Sequence, residues 1–130
     1  MVIDTSALVA LLSLEPEAVR LAKAIDSDPV RLISAATLVE AGLVIESRFG
    51  SAGALELDLA VAKAGFSIEP LTADHAELAR EAWRRFGKGR HPAGLNLGDC
   101  FSYALARATA EPLLFKGEDF RQTDIVAFAY

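Results

Sequence analysis

The sequence is short of cysteine and of long apolar runs, and each shortage excludes a class of protein. A single cysteine, Cys100, rules out an internal disulfide and is typical of chains that fold in a reducing compartment. No apolar run approaches the ~20 residues that a membrane-spanning helix needs. No basic segment precedes the first apolar residues, as it would in a secretory signal. We therefore expect a cytoplasmic protein that has no membrane contact.

The chain is also short of positive charge, with 13 lysines and arginines against 18 aspartates and glutamates, which gives a net charge of −5. Proteins that coat nucleic acid without specificity neutralise many phosphates, so this balance argues against such a role. It is compatible with an enzyme that contacts nucleic acid locally through an acidic site. Hydrophobic residues make up 52% of the chain, which excludes a disordered protein. A length of 130 residues predicts one domain, spanning 1–130.

Short β-like segments alternate with longer helical patterns along the whole chain. The predicted strands are residues 1–4, 30–34, 66–71, 112–115 and 125–128. The predicted helices are residues 5–13, 15–28, 35–50, 51–64, 73–87 and 97–110. Because strands that alternate with helices form parallel sheets covered on both faces, the pattern predicts an α/β fold.

Acidic residues follow several of the predicted strands. Asp4 ends the first strand, Glu40 lies two turns into the helix after the second, and Asp99 opens the last helix. Glu118 and Asp119 come just after the strand at 112–115. Ligands of open parallel sheets bind outside the carboxyl ends of the strands, so these side chains can converge. Carboxylates gathered at one place repel each other unless a cation is present.

The composition of this acidic cluster predicts the type of cation and the chemistry. Oxygen ligands without cysteine favour a hard cation, Mg²⁺ or Mn²⁺, and the absence of neighbouring histidine argues against zinc. Such an ion can activate water and stabilise the charge that develops on phosphate oxygens. The residues therefore predict phosphodiester hydrolysis. Because crowded carboxylates repel, we also expect Asp4→Asn or Asp99→Asn to abolish cleavage without destabilising the fold.

Four segments of the sequence resemble the PIN-domain proteins, and specifically the VapC-type toxins of bacterial toxin–antitoxin pairs. They are "VIDTSAL", "SAATLVEAG", "HPAGLNLGDCFSYALA" and "PLLFKGEDFRQTDI", and the resemblance extends over essentially the whole chain. It implies a three-layer α/β/α, PIN-like fold with a central parallel sheet of four to five strands. It further implies an RNA endonuclease that depends on Mg²⁺ or Mn²⁺, a cognate VapB-type antitoxin, and a homodimer.

The resemblance also assigns roles to individual positions. Asp4, Glu40 and Asp99 match the family's first three acids, which act as catalytic metal ligands. Asp119 matches the fourth acid, and Glu118 is the alternative ligand at that position. The hydroxyl positions that follow the first acid, where a side chain can hold a ligand water or a carboxylate, are matched by Thr5 and Ser6.

One basic cluster, in the segment "RRFGKGRH", stands out from the acidic background. Its cations, Arg84, Arg85, Lys88 and Arg90, can be the solvated end of a helix, where positive charge is favoured. The alternative is a phosphate contact for RNA, because the cluster leads directly into the segment that carries Asp99.

Other reactive or aromatic residues receive simpler interpretations. Cys100 beside Asp99 invites a thiol mechanism, with His75 or His91 as base, but a small cysteine in an apolar helix is more often a core residue. Trp83 and Phe86 lie at helical spacing, which favours packing over a platform for stacked bases.

Two alternatives to a ribonuclease stay open on the sequence alone. One is a different metal-dependent phosphate hydrolase, although "DTSAL" has no second aspartate two residues after Asp4, as haloacid-dehalogenase-type enzymes would show. The other is a non-catalytic, PIN-like binding module that has lost its metal. Such a module would have a replaced acid, whereas here all four acid positions are filled.

Overall fold

A parallel sheet of four strands, in the order β3-β2-β1-β4, forms the centre of the molecule. The computed structural model describes all residues from 1 to 130. The strands are β1 (Val2–Ile3), β2 (Leu32–Ser34), β3 (Ser67–Glu69) and β4 (Leu113–Leu114). The helices are α1 (Thr5–Leu12), α2 (Ala18–Ser27), α3 (Ala35–Lys63), α4 (Ala73–Phe86) and α5 (Leu97–Thr109), with a short 3₁₀ helix at Phe120–Gln122.

The strand residues alternate between two hydrophobic cores, one on each face of the sheet. Val2 is in register with Leu32 and Leu113, and these side chains pack against α4 and α5. The next residues along the strands, including Ile3 and Leu114, pack against α1, α2 and α3. Successive side chains of a strand point to opposite faces, so even two-residue strands contribute to both cores. The predicted α/β/α architecture is confirmed.

The predicted helix boundary at Gly50 appears as a kink within α3. Gly50 has φ = 65° and ψ = −159°, a conformation outside the helical region that glycine adopts without steric cost. The helical segments before and after it correspond to the two helices predicted from the sequence.

The strand predicted at 125–128 is wrong as a full strand, because only one parallel bridge, between Leu113 and Ala127, is formed there. Two backbone hydrogen bonds accompany it, from Leu113 N to Val126 O (2.9 Å) and from Phe128 N to Leu113 O (2.8 Å). The partner strand β4 has only two residues, so the ladder has nothing along which to extend.

No helix of the structure has both the length and the apolar character needed to cross a membrane.

Candidate active site

Asp4 is a buried carboxylate that three hydrogen bonds hold in place. It follows β1, is 2% exposed, and caps the N-terminus of α1. Its Oδ2 accepts from the backbone N–H of Ser6 (2.9 Å) and from Ser6 Oγ (2.6 Å). Its Oδ1 accepts from Ser102 Oγ (2.6 Å). Because hydrogen bonds to an ionised acceptor are strong, these donors stabilise a charge that burial disfavours.

A hydroxyl network connects Asp4 to distant parts of the chain. Ser102 Oγ lies 3.2 Å from Thr37 Oγ1 on α3, and both side chains are fully buried. On the other side, the backbone N–H of Lys116 donates to Ser6 Oγ (2.9 Å). Sequence reasoning missed Ser102 and Thr37. Ser102 lies three residues after Asp99, so the helical repeat places both on one face of α5, and that spacing was the available signal.

Glu40 reaches the same place from the second turn of α3. Thr5 Oγ1 donates to Glu40 Oε2 (2.6 Å), which orients the carboxylate. A Cβ atom at Gly98 would lie 2.1–2.3 Å from the Glu40 carboxyl group, so α5 admits this acid only because residue 98 has no side chain. The glycine before Asp99 therefore brings α3 and α5 close together at the site.

Asp99 opens α5 and belongs to a capping box. Its backbone N–H donates to Asn96 Oδ1 (2.9 Å), and the Asn96 N–H donates to Asp99 Oδ2 (2.8 Å). Burial raises the pKa of Asp99 to about 7, the bond from Asn96 opposes the rise, and the charges of Asp4, Asp119 and Glu40 add to it. These four acids are therefore within electrostatic reach of one another.

The two candidates for the fourth acid differ in their surroundings. Asp119, just before the 3₁₀ helix, acts electrostatically on Asp99, and its side chain makes no capping hydrogen bond. Glu118 has a 78% exposed side chain and pairs with Arg121 (3.3 Å). Both side chains are exposed, and of the two only Asp119 contributes to the raised pKa of Asp99.

Asp4, Glu40 and Asp99 border an open pocket of about 440 Å³, which Asp119 does not line. Its polar lining is dominated by oxygen: Asp4, Thr5, Ser6, Glu15, Glu40, Asn96 and Asp99, with Lys116 and Arg48 as cations. No histidine or cysteine lines it, so the donor chemistry fits a hard divalent cation. In the conformation seen here, no three acidic, histidine or cysteine side chains lie close enough together to surround an ion. Mg²⁺ usually takes one or two carboxylates and keeps several waters, so it does not need three of these side chains in contact with it.

Lys116 borders the pocket but is already engaged by acids outside the predicted set. Its ammonium group forms an ion pair with Glu15 and lies 3.2 Å from Glu17 Oε2. These carboxylates raise the pKa of Lys116. The ammonium group of Lys116 is thus paired with Glu15 and Glu17 and not with Asp4.

None of the four predicted RNA-contacting cations lines the acidic pocket. Arg85 donates to Asp124 Oδ2 (2.9 Å) and approaches Tyr103 Oη (3.4 Å), so it ties α4 to the C-terminal segment. Arg84 and Lys88 are exposed, and the guanidinium group of Arg90 lies over the ring of Trp83 at 4.1 Å. Three of the four therefore present charge at the surface beside the segment that leads to Asp99.

The structure gives no support to a thiol mechanism at Cys100. The side chain is 2% exposed, and burial raises the pKa of its thiol to about 11. A thiolate is the reactive form, and this environment disfavours it.

Comparisons with known proteins agree with this geometry. Residues 1–126 match the PIN domain family. The chain is 57% identical to ribonuclease VapC30 of Mycobacterium tuberculosis over 129 residues, which is 99% of this chain and 98% of that protein. It is 58% identical to ribonuclease VapC of Mycolicibacterium smegmatis over 127 residues, 98% of each chain.

Two solved structures share the fold. One is the Mycobacterium tuberculosis toxin VapC20, which cleaves the sarcin–ricin loop; it has a TM-score of 0.79 and 22% identity, over 96% of this chain and 95% of that one. The other is a toxin–antitoxin complex from Klebsiella pneumoniae, with a TM-score of 0.73 and 22% identity, over 99% and 97% of the chains.

Proposed function

The chain belongs to the PIN-domain family and, within it, to the VapC ribonucleases, and from this premise we propose that it is a metal-dependent RNA endonuclease, the toxin of a type II toxin–antitoxin pair. It acts as a single domain over residues 1–130. The observation that carries this proposal is the pocket in which Asp4, Glu40 and Asp99, from three separate elements, face one cavity beside strand ends.

We assign the binding of the divalent cation to Asp4, Glu40, Asp99 and Asp119, and we propose Mg²⁺ as the cation, with Mn²⁺ as a substitute. The support is that Asp4, Glu40 and Asp99 present carboxylate oxygens to the pocket, and that burial, with the charges of the neighbouring acids, raises the pKa of Asp99. When bound, such an ion supplies the positive charge that activates water and stabilises the phosphodiester transition state.

The protein's own contribution is to hold the acids in place before substrate arrives. Ser6 and Ser102 fix both oxygens of Asp4, and Thr5 fixes one oxygen of Glu40. Thr5 and Ser6 thus act as positioning residues. Without a cation the pKa of Asp99 is about 7, so this carboxyl group must lose its proton when the ion binds. Substrate phosphates outside the pocket are contacted by Arg84, Lys88 and Arg90, whereas Arg85 serves the fold.

The partners follow from the same family membership. We propose an RNA substrate, a cognate VapB-type antitoxin that inhibits the enzyme, a homodimer, and action in the cytoplasm. Exposed apolar side chains give a protein partner surface to bury, and they are concentrated on α3: Val39, Leu43, Phe49, Leu55 and Leu59.

The test is cleavage of pooled total RNA by purified protein that is free of antitoxin, in Mg²⁺, in Mn²⁺ or in EDTA. We expect cuts with either metal, none in EDTA, and a loss of at least about 100-fold in rate for Asp99→Asn. Asp74→Asn is the matched control, because Asp74 occupies the first turn of α4, outside the pocket. Wild-type rates for Asp99→Asn, with unchanged metal dependence, would refute the site assignment.

A further inference from the structure

An apolar groove lies between α4 and α5, separate from the acidic pocket. It has a volume of about 390 Å³ and is lined by Ala79, Arg80, Trp83, Leu97 and Cys100. This volume falls in the range of roughly 300–1,000 Å³ that is typical of small-ligand sites. The proposed nuclease chemistry uses none of these side chains.

Trp83 and Phe86 do not share the packing role predicted from their spacing. Phe86 is 9% exposed and belongs to the core, whereas Trp83 is 42% exposed and borders the groove. The indole ring is nevertheless fixed in position. The guanidinium group of Arg90 covers it at 4.1 Å, and a Cβ atom at Gly87 would lie 2.6 Å from Trp83 Cδ1. The groove therefore contains a partly exposed aromatic ring, one face of which is covered by the guanidinium group of Arg90.

The first turn of α5 separates the groove from the acidic pocket. Asn96 and Asp99 line the pocket, while Leu97 and Cys100 line the groove. Leu97 is 72% exposed. A helix is about 10–12 Å in diameter with its side chains, so a short length of single-stranded RNA can reach both cavities.

We propose that this groove binds an unpaired base of the RNA substrate, next to the phosphate that is cleaved. The inference rests on the proposed nuclease function and adds a base-binding subsite to it. Single-stranded RNA is recognised by bases stacked on aromatic rings and guanidinium planes, which are the groups that Trp83 and Arg90 present. Positive charge is also present, because Arg80, which pairs with Glu77 (2.8 Å), lines the groove and Arg90 lies over Trp83. Such charge attracts the phosphates of an RNA strand.

The groove carries its own reporter, because Trp83 is the only tryptophan of the chain. We would titrate the full-length Asp99→Asn protein in EDTA, which prevents cleavage and removes one repelling charge. The probe is a pool of single-stranded RNA octamers of random sequence, and the control is an abasic ribose–phosphate octamer. We expect saturable quenching of tryptophan emission by the RNA pool and none by the abasic chain. Equal responses to both probes, or no response to either, would overturn the proposal.

A second variant removes one side chain that lines the groove and keeps Trp83 as the fluorescent reporter. Leu97→Ser in the same background should weaken binding of the RNA pool by about tenfold, within the range measured for loss of one stacked base. Leu71→Ser is the matched control, since Leu71 is a 41% exposed leucine that lines neither the groove nor the acidic pocket. Equal affinities for the two variants would overturn the proposal. Quenching by the antitoxin but by no RNA would also overturn it and would assign the groove to a protein partner.

Cleavage by the protein with Asp99 intact separates this proposal from the nuclease itself. In Mg²⁺, Leu97→Ser should raise KM for the octamer pool by about tenfold and leave kcat within a few-fold of wild type. Metal-dependent cleavage with an unchanged KM would refute the base subsite and leave the nuclease standing. Base-dependent quenching without any cleavage would support the subsite and refute the nuclease.

Discussion

Asp4 and Asp99 line the same pocket, yet the protein treats their charges in opposite ways. Asp4, after β1, accepts three hydrogen bonds from Ser6 and Ser102, and these bonds occupy both of its oxygens. Asp99, at the start of α5, accepts one bond from Asn96, while burial and neighbouring acids raise its pKa to about 7. Asp4 is thus matched by three donors, whereas Asp99 has one donor against burial and the repulsion of its neighbours.

This difference changes what substitution should do to stability. Repulsion among the acids alone predicts that replacing either aspartate leaves the metal-free protein no less stable. The structure separates the two positions, because the surroundings of Asp4 are built to accept a negative charge and those of Asp99 are not. The electrostatic strain of the pocket is therefore concentrated at the start of α5, and a bound cation would relieve it there.

The largest effect is expected from Asp4→Asn. The amide replaces charge-assisted hydrogen bonds with neutral ones and turns a donor towards Ser102 or Ser6, so we expect a loss of about 2–3 kcal/mol in unfolding free energy. Urea denaturation of the metal-free protein measures it. The comparison would fail if Asp4→Asn proved as stable as wild type.

Ser102→Ala tests the hydrogen bonding of Asp4 without replacing an acid. It leaves one oxygen of a buried carboxylate without its donor, so we expect a loss of about 1.5–2 kcal/mol in unfolding free energy. RNA cleavage should fall as well, because Asp4 loses a fixed orientation. Ser47→Ala, at an exposed position of α3, is the control and should change stability by less than about 0.5 kcal/mol.

Asp99→Asn should have the opposite sign. A carboxyl whose pKa rises from 3.8 to about 7 on folding stabilises the folded state while it is protonated, and this contribution is lost as the pH rises from about 4 through 7. At pH 8 without metal, the variant should therefore exceed wild type by about 1–2 kcal/mol, a value reduced for solvent screening. The advantage should shrink as the pH falls towards 4.

Thermal unfolding of both proteins in EDTA, at steps across that pH range, measures the difference. Asp74→Asn controls for the substitution itself. Added Mg²⁺ should erase the advantage of Asp99→Asn at pH 8, because the cation neutralises the wild-type charge. An advantage that is equal at pH 4 and pH 8 would contradict the assigned cause.

The smallest effect is expected from Thr5→Val. This variant removes a hydrogen bond from Glu40, the third acid that lines the pocket. Glu40 loses the hydroxyl donor at 2.6 Å, but its carboxylate is half-buried and water can replace the bond. We expect a loss of about 0.5–1 kcal/mol in unfolding free energy and less than about a tenfold fall in cleavage rate. A fall as large as that of Asp99→Asn would show that Thr5 does more than orient Glu40.

The sequence predicted the sheet and the convergence of Asp4, Glu40 and Asp99, which line one pocket. Parallel strands bring their carboxyl ends to one edge, which favours such convergence, but Asp119, which follows β4, does not line that pocket. The partners of those acids were harder to predict. Ser102 bonds Asp4 across 98 residues of chain, and no local pattern links them. Trp83 and Phe86 share a helix face, but only the packing of α5 decided which of them is covered.

The sequence by itself determined the α/β architecture, the family and the set of acids, since hydrophobic periodicity and strand-end placement are properties of neighbouring residues. Only the tertiary structure determined the burial, the hydrogen-bond donors and the neighbouring charges of each acid. Burial, donors and neighbouring charges come from distant segments, and their sum fixes Asp4 while it leaves Asp99 unmatched. The fold likewise placed Gly98, in the first turn of α5, against the Glu40 carboxyl group, because that contact exists only once α3 and α5 have packed.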